Sequence, residues 1–394
     1  MPEPANLGDR LTDIRKRRGL SQQALADASG VSLSTIRKLE QHQSPTARLA
    51  TVQKLAMALR VTTTDILKRG DAPTNPEPAP AEWLPVRQAV ELPPPTSAPD
   101  ESPTLESVQA AAGQVRDLRA AAHLSDAAIL LPHVMRDAEA LGDQPGARDI
   151  RAYALQLAGS LLTQTHQYET ATTALEQALA AAQDQHRAAS IVGTMCWLHI
   201  RQGHLHEART LATRWADDVE PRMSRASADD LAAWGQLLLS VAAAAVRDAR
   251  TDEAKDALRL ARGAAVMTGC ELPLGARMDP WGPLTVAYKR SERHMVLDQP
   301  DKVLDIAADT EARTPAASRM LDGFNRHRLD VAAAHTRLRD YAQAVKVLTG
   351  IQARVPEWLA QQRYAQDVVQ DVVARRRTLT TEMRQLADTV RLPL

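Results

Sequence analysis

The chain has 394 residues, 48 basic and 48 acidic, so it has no overall charge excess that would drive the whole molecule onto nucleic acid or a membrane surface. Ala and Leu are abundant while there is one Phe and five Tyr, a composition that favours helices over strands and predicts an all-α fold of two or three domains. Cys196 and Cys270 are far apart and lack CxxC spacing, MPEPANLGDR has no apolar signal core, and no run of about 18 apolar residues occurs. These features argue against a disulfide framework, a secreted chain and a membrane span, and they fit a reduced cytoplasm.

Leu7, Leu11 and Ile14 recur at helical spacing and predict a first helix. Ser21 stands at an N-cap position before Leu25 and Ala28, and Gly30 follows Ser29 where a helix commonly ends in the left-handed conformation. Ser32 caps the next segment, in which Ile36 and Leu39 face inward while Leu33, Ser34, Arg37 and Lys38 point outward. Helix, turn, helix over residues 21–40 is the pattern of a helix-turn-helix. Leu49, Val52, Leu55, Ala56 and Leu59 predict a fourth helix, and Thr62 to Leu67 a short fifth. Residues 1–70 hold 12 Lys/Arg against 6 acids, 12 − 6 = +6, so basic charge is concentrated where the motif lies.

Arg15, the run Arg18 to Gln22, Leu25-Ala26, Gly30-Val31, Ser32, Ile36, Leu39-Glu40 and Leu55-Ala56 together resemble the Cro and lambda-repressor (XRE) class of DNA-binding domain, over Leu7 to Leu67. The resemblance implies a five-helix domain whose helix beginning at Ser32 enters the major groove of double-stranded DNA. By position, Leu33, Ser34 and Lys38 read bases: Lys38 reaches guanine O6 or N7, Ser34 bonds several base edges and Leu33 packs on a thymine methyl. Gln22, Ser32, Thr35 and Arg37 hold phosphates and fix register. The resemblance also implies a structural ion pair between Arg15 and Glu40.

Residues 71–104 contain ten prolines and six acids against one Arg, a composition expected of an extended, semi-stiff linker. Trp83 in the Glu82 to Val86 stretch does not suit an exposed tether, and three readings stand open: the stretch docks on a domain, the acidic linker lies against the basic head, or a disordered tether carries a stray Trp. From Leu105 to Leu394 the pattern is helical and repetitive. Leu155 to Leu179, with Gly159, Tyr168, Ala171, Leu175 and Ala178, resembles a tetratricopeptide repeat. Marker residues Ala127, Ala171, Ala208, Ala254, Val303 and Ala344 open the expected second helices, separated by 44, 37, 46, 49 and 41 residues. Each spacing exceeds the usual repeat of about 34, so the expectation for 105–394 is an elongated, degenerate tetratricopeptide-like α-solenoid. Glu357 to Arg391, with Arg375-Arg376-Arg377, is expected to cap it.

No nucleophile elbow, P-loop, Rossmann glycine run or HExxH motif occurs, which predicts no enzyme, cofactor or metal. Cys196, His199, His204 and His206 have helix-and-turn spacing that zinc can use, but His166 occupies the matching turn of the preceding repeat and His335 matches His199 in a later one. Repeat architecture explains them. The break from Gly269 to Pro283 is longer than a repeat turn needs, so Met278, Trp281 and nearby Tyr288 are candidate ligand contacts. Asn325, beside the single Phe, is a further candidate because its amide can pair with a peptide backbone, and a local capping role is the alternative.

A helix-turn-helix joined to a repeat array resembles Gram-positive quorum-sensing regulators and actinobacterial regulators. That resemblance implies a transcription factor acting as a homodimer on a pseudo-palindromic operator, with a peptide or small-molecule effector biasing its two DNA-binding heads. A DNA-tethered scaffold that grips a protein partner is the alternative.

Overall fold

A computed structural model describes residues 6–43, 47–67, 81–92, 102–274, 278–376 and 378–393. Among them the regular structure is helical, apart from one isolated antiparallel bridge between Leu272 and Trp281. The fold is all-α.

The N-terminal head contains α1 (Leu7–Arg17), α2 (Gln22–Ser29), α3 (Leu33–Glu40), α4 (Leu49–Leu59) and α5 (Thr63–Ile66). Leu11, Leu25, Ile36, Val52, Leu55 and Ile66 are buried together as its core. The apolar spacing seen in the sequence is therefore the inward face of these helices.

Part of the Pro-rich segment folds. Residues Ala81–Trp83 form a 3-10 turn that runs into α6 (Leu84–Glu91). Pro85 is tolerated because it lies in the first turn, where its missing N–H would have no helical partner. Trp83, Val86 and Val90 make one apolar stripe and are buried against the helices that follow. The expected tether segments 71–80 and 93–101 lie outside the described residues.

The rest of the described chain is built from antiparallel helix pairs: α7 (Leu105–Ala120) with α8 (Leu124–Ala140), α9 (Ala147–Gln164) with α10 (Tyr168–Ala181), and α11 (Gln185–Gln202) with α12 (Leu205–Asp218). There follow α13 (Ala228–Arg247) with α14 (Thr251–Thr268), α15 (Pro283–Val296) with α16 (Pro300–Glu311), and α17 (Asp322–Arg337) with α18 (Tyr341–Arg354). The first helices of successive pairs pack on one another, α7 on α9, α9 on α11, and so on to α17. Three short helices, α19 (Pro356–Ala360), α20 (Arg363–Val373) and α21 (Thr381–Thr389), close the end against α17 and α18. Arg376 lies over the Tyr341 ring at 5.3 Å, and Arg377 is outside the described residues.

One turn recurs in all six of these pairs. The residue two places before the second helix has positive φ: Ala122 (62°), His166 (64°), Gly203 (81°), Ala249 (60°), Asp298 (57°) and Arg339 (63°). The next amide then bonds back over the first helix's end, as in His123 N to Leu118 O (2.9 Å), Gln167 N to Leu162 O (2.8 Å) and Arg250 N to Ala245 O (2.9 Å). This is a left-handed helix stop that satisfies a terminal carbonyl and reverses the chain. Four residues into each second helix stands a fully buried residue: Ala127, Ala171, Ala208, Ala254, Val303 or Ala344.

Helix α13 is long and apolar enough to cross a membrane, but 67% of its apolar window is buried inside the protein, between α12 and α14. It is a core helix. Trp281 lies so close to α13 that a Cβ at Gly235 would stand 1.9 Å from its ring, which is why that helix carries glycine there.

Trp83 tests whether the linker segment is part of the array. Trp83→Ala removes a fully buried indole and is expected to cost about 3–5 kcal/mol. A chemical melt of the full chain followed by circular dichroism reads it; an unchanged midpoint would place Trp83 in solvent.

Candidate nucleic-acid interface

Helix ends set the geometry of the head. Ser21 Oγ accepts the Ala24 N–H at 3.0 Å and opens α2, and Gly30 closes it at φ 66°. Ser32 Oγ accepts the Thr35 N–H at 3.2 Å and opens α3. Arg15 then locks the end of α3 with two parallel bonds to Glu40, Nε to Oε1 at 2.6 Å and Nη2 to Oε2 at 2.7 Å. Gln22 Nε2 adds a third bond to Glu40 at 2.7 Å. Burial by itself would raise the Glu40 pKa, but the hydrogen bonds from Arg15 and Gln22 outweigh it and hold the carboxyl below its ordinary range.

The exposed side of α3 carries Ser34, Arg37 and Lys38, which share one face at i, i+3 and i+4. Ser32 Oγ lies 3.0 Å from Ser34 Oγ and 2.7 Å from Thr35 Oγ1, so three hydroxyls cluster at the start of the helix. Leu33 is half-buried against the head core, which leaves only part of it for a base. The Gln22 amide is turned inward onto Glu40. Placed on an exposed helix of a domain with net charge +6, these side chains form a cationic, hydrogen-bonding surface narrow enough to enter a major groove.

Residues 11–66 match the family model described as helix-turn-helix. The head is a helix-turn-helix domain. No curated protein and no solved structure matched the chain. A helix-turn-helix of the XRE type is the DNA-binding head of a transcription regulator.

Away from the helix-turn-helix, the structure uses the ligand candidates for packing. Trp281 is fully buried, with its Nε1 donating to Thr268 Oγ1 at 3.1 Å. Met278 is buried and its carbonyl accepts from Arg119, which also pairs with Asp279 at 3.1 Å and Asp322 at 3.5 Å. Arg119 therefore ties α7 both to Met278 and Asp279 and to the first residue of α17. Asn325 Nδ2 donates to the carbonyls of Arg319, Met320 and Leu321, each at 3.1 Å, which is the local capping role. Tyr288 is half-buried, stacked on His327 with ring centroids 5.0 Å apart, and its hydroxyl lies 2.6 Å from Thr314 Oγ1.

Cys196 is buried, and burial pushes its thiol up to about 12. The carbonyls of His199 and His335 accept the same turn bond in their respective pairs, from His204 N and Asp340 N, each at 2.8 Å. Among the described residues no group of three or more His, Cys, Asp and Glu is placed to hold a metal ion.

A surface that the sequence did not indicate joins the helix-turn-helix to the array. Gln53 Nε2 donates to Val246 O at 2.7 Å and Thr63 Oγ1 to Arg247 O at 2.6 Å. Asp248 Oδ1 accepts from both the N–H and the hydroxyl of Thr64, at 2.9 and 2.6 Å. Ala249, the left-handed residue of the α13–α14 turn, packs against the head core. Lys54 pairs with Asp298 at 3.2 Å, and Arg48 pairs with Asp367 at 3.1 Å and bonds Gln370 at 2.9 Å. No motif marks these residues, because each of them is an ordinary surface polar group until its partner is known.

Glu40 supports the interface from below. Glu40→Gln removes the bidentate pair and is expected to destabilise the helix-turn-helix by about 3 kcal/mol, read by a urea melt at neutral pH. In the native chain this contribution is complete above the ordinary carboxylate value of 4.5 and fades as pH falls through the depressed folded value. The substitution should accordingly flatten the loss of head stability on the acid side.

Proposed function

We propose that the protein is a sequence-specific transcriptional regulator of the cytoplasm. In this reading α3 reads the operator through Ser34 and Lys38, with part of Leu33 on a thymine methyl, while Arg37, Thr35 and Ser32 fix register on phosphates. Gln22 contributes from α2 where Glu40 holds it. The observation that carries the reading is the exposed Ser34, Arg37 and Lys38 face on a capped helix of the matched helix-turn-helix.

A single head spans few base pairs, so the active form is a homodimer on a pseudo-palindromic site. The helix-pair array is the tetratricopeptide-like sensor of a peptide or small-molecule effector. Six equivalent turns and a stacked row of first helices support that assignment, since such arrays offer a long continuous surface. Of the four residues proposed as effector contacts, Tyr288 keeps a partly open ring. Met278 and Trp281 are buried, and Asn325 holds the carbonyls of Arg319, Met320 and Leu321, so these three contribute to the effector site through the walls they build.

Selection of bound fragments from a random duplex library with purified full-length protein tests the reading. Wild type is expected to enrich one motif with two-fold symmetry. Ser34→Ala with Lys38→Ala is expected to lose about 1–3 kcal/mol of discrimination at one or two base positions while keeping its fold. Retention of the full motif by the double variant would overturn the base-reading assignment.

A further inference from the structure

The seam between the helix-turn-helix and the array has a direction built into its chemistry. The head is held through α4 and α5, so the reading face of α3 is left open. What the array takes instead is charge. Arg48 stands at the N-cap of α4 and is paired with Asp367 of α20. Lys54, on the same helix, is paired with Asp298. DNA binding draws its affinity from cations that neutralise phosphates and release counterions. Two of the head's cations are engaged by carboxylates of the array.

The position of the head is set by a different group of contacts. The salt links are exposed enough to contribute little stability individually. The four hydrogen bonds to Val246, Arg247 and Asp248 are largely sheltered; the one from Gln53 holds α4 and the three from Thr63 and Thr64 hold α5 on the α13–α14 turn. This turn also reaches the array interior, because the Arg247 side chain pairs with the buried Glu292. One five-residue stretch thus contacts both the DNA-binding head and the charged centre of the array.

We propose that the Val246–Arg250 turn is a latch that holds the helix-turn-helix in a weak-binding state, and that full affinity for duplex DNA requires α4 and α5 to leave it. The inference rests on the reading of the head as a DNA-binding module and adds the manner of its restraint. An event in the array that displaces Arg247 from Glu292 moves the turn that holds the head, giving the array a direct mechanical route to it.

A reversible lock tests the latch. Thr64→Cys with Asp248→Cys, in a chain also carrying Cys270→Ser, places two thiols where the native side chains meet at 2.6 Å. Cys196 is buried and takes no part. Mild oxidation is expected to form the cross-link, confirmed by mass. The oxidised protein is expected to bind its selected duplex at least about tenfold more weakly than the reduced form, with a log K against log salt slope shallower by about two, because Arg48 and Lys54 stay paired.

Asp298→Asn with Asp367→Asn, which removes the carboxylate charge facing Lys54 and Arg48 without touching the head, is expected to strengthen binding. Equal affinity in oxidised and reduced forms, failure of the cross-link to form, or unchanged binding in the Asn variant overturns the latch while leaving DNA recognition standing. If neither redox form prefers any duplex, DNA recognition falls and the latch with it.

Discussion

The array depends on one backbone constraint, the left-handed residue that stops each first helix and turns the chain into its partner. Five of these six residues are not glycine, so those five turns carry a strain that the sixth, with Gly203, avoids. The strain is offset locally by the amide that bonds back over the helix end and by the small residue that buries itself four places into the next helix. Because the geometry repeats, the turns fall along a common edge of the array. Ala249 and Asp298 are the equivalent residues of neighbouring pairs, and both touch the helix-turn-helix. The edge that builds the array is also the edge that carries the head.

That coincidence explains why the seam is polar. A repeat turn exposes backbone carbonyls, and the head supplies donors to them from Gln53 and Thr63. Such a surface is held by several hydrogen bonds whose net worth is about 1 kcal/mol each and by little apolar area beyond Ala249. An interface of this kind can be rigid without being permanent. A large apolar seam would instead have fused head and array into one core.

Charge is arranged on two levels. On the surface, cations gather on the head and are met by scattered carboxylates of the array. In the interior, Glu292 is surrounded by Lys289, Arg247 and Arg326; burial would raise its pKa, and these cations instead hold it well below the ordinary range. Buried pairs of this sort define a unique arrangement more than they add stability, because desolvation consumes most of the attraction. Arg247 belongs to both levels, through its side chain inside and its carbonyl at the seam.

Whatever was local in the chain could be read from it. The caps at Ser21 and Ser32, the stop at Gly30 and the six repeat markers were legible because they depend on spacings of a few residues, which helical geometry imposes directly. The Arg15–Glu40 pair came from resemblance to a class of domains. What depended on distant partners stayed hidden. Trp83 was visible as a misfit, but only α8 and its neighbours show what buries it. For Met278, Trp281 and Asn325 the sequence showed apolar, aromatic and polar chemistry, while their packing partners, Arg119, the α13 face and the carbonyls of Arg319 to Leu321, are set by the tertiary structure. The seam is the extreme case. Thr64 and Asp248 are 184 residues apart, and nothing in either's neighbourhood announces the other. A sequence states what each residue can offer within its own helix, whereas the fold decides which offers meet.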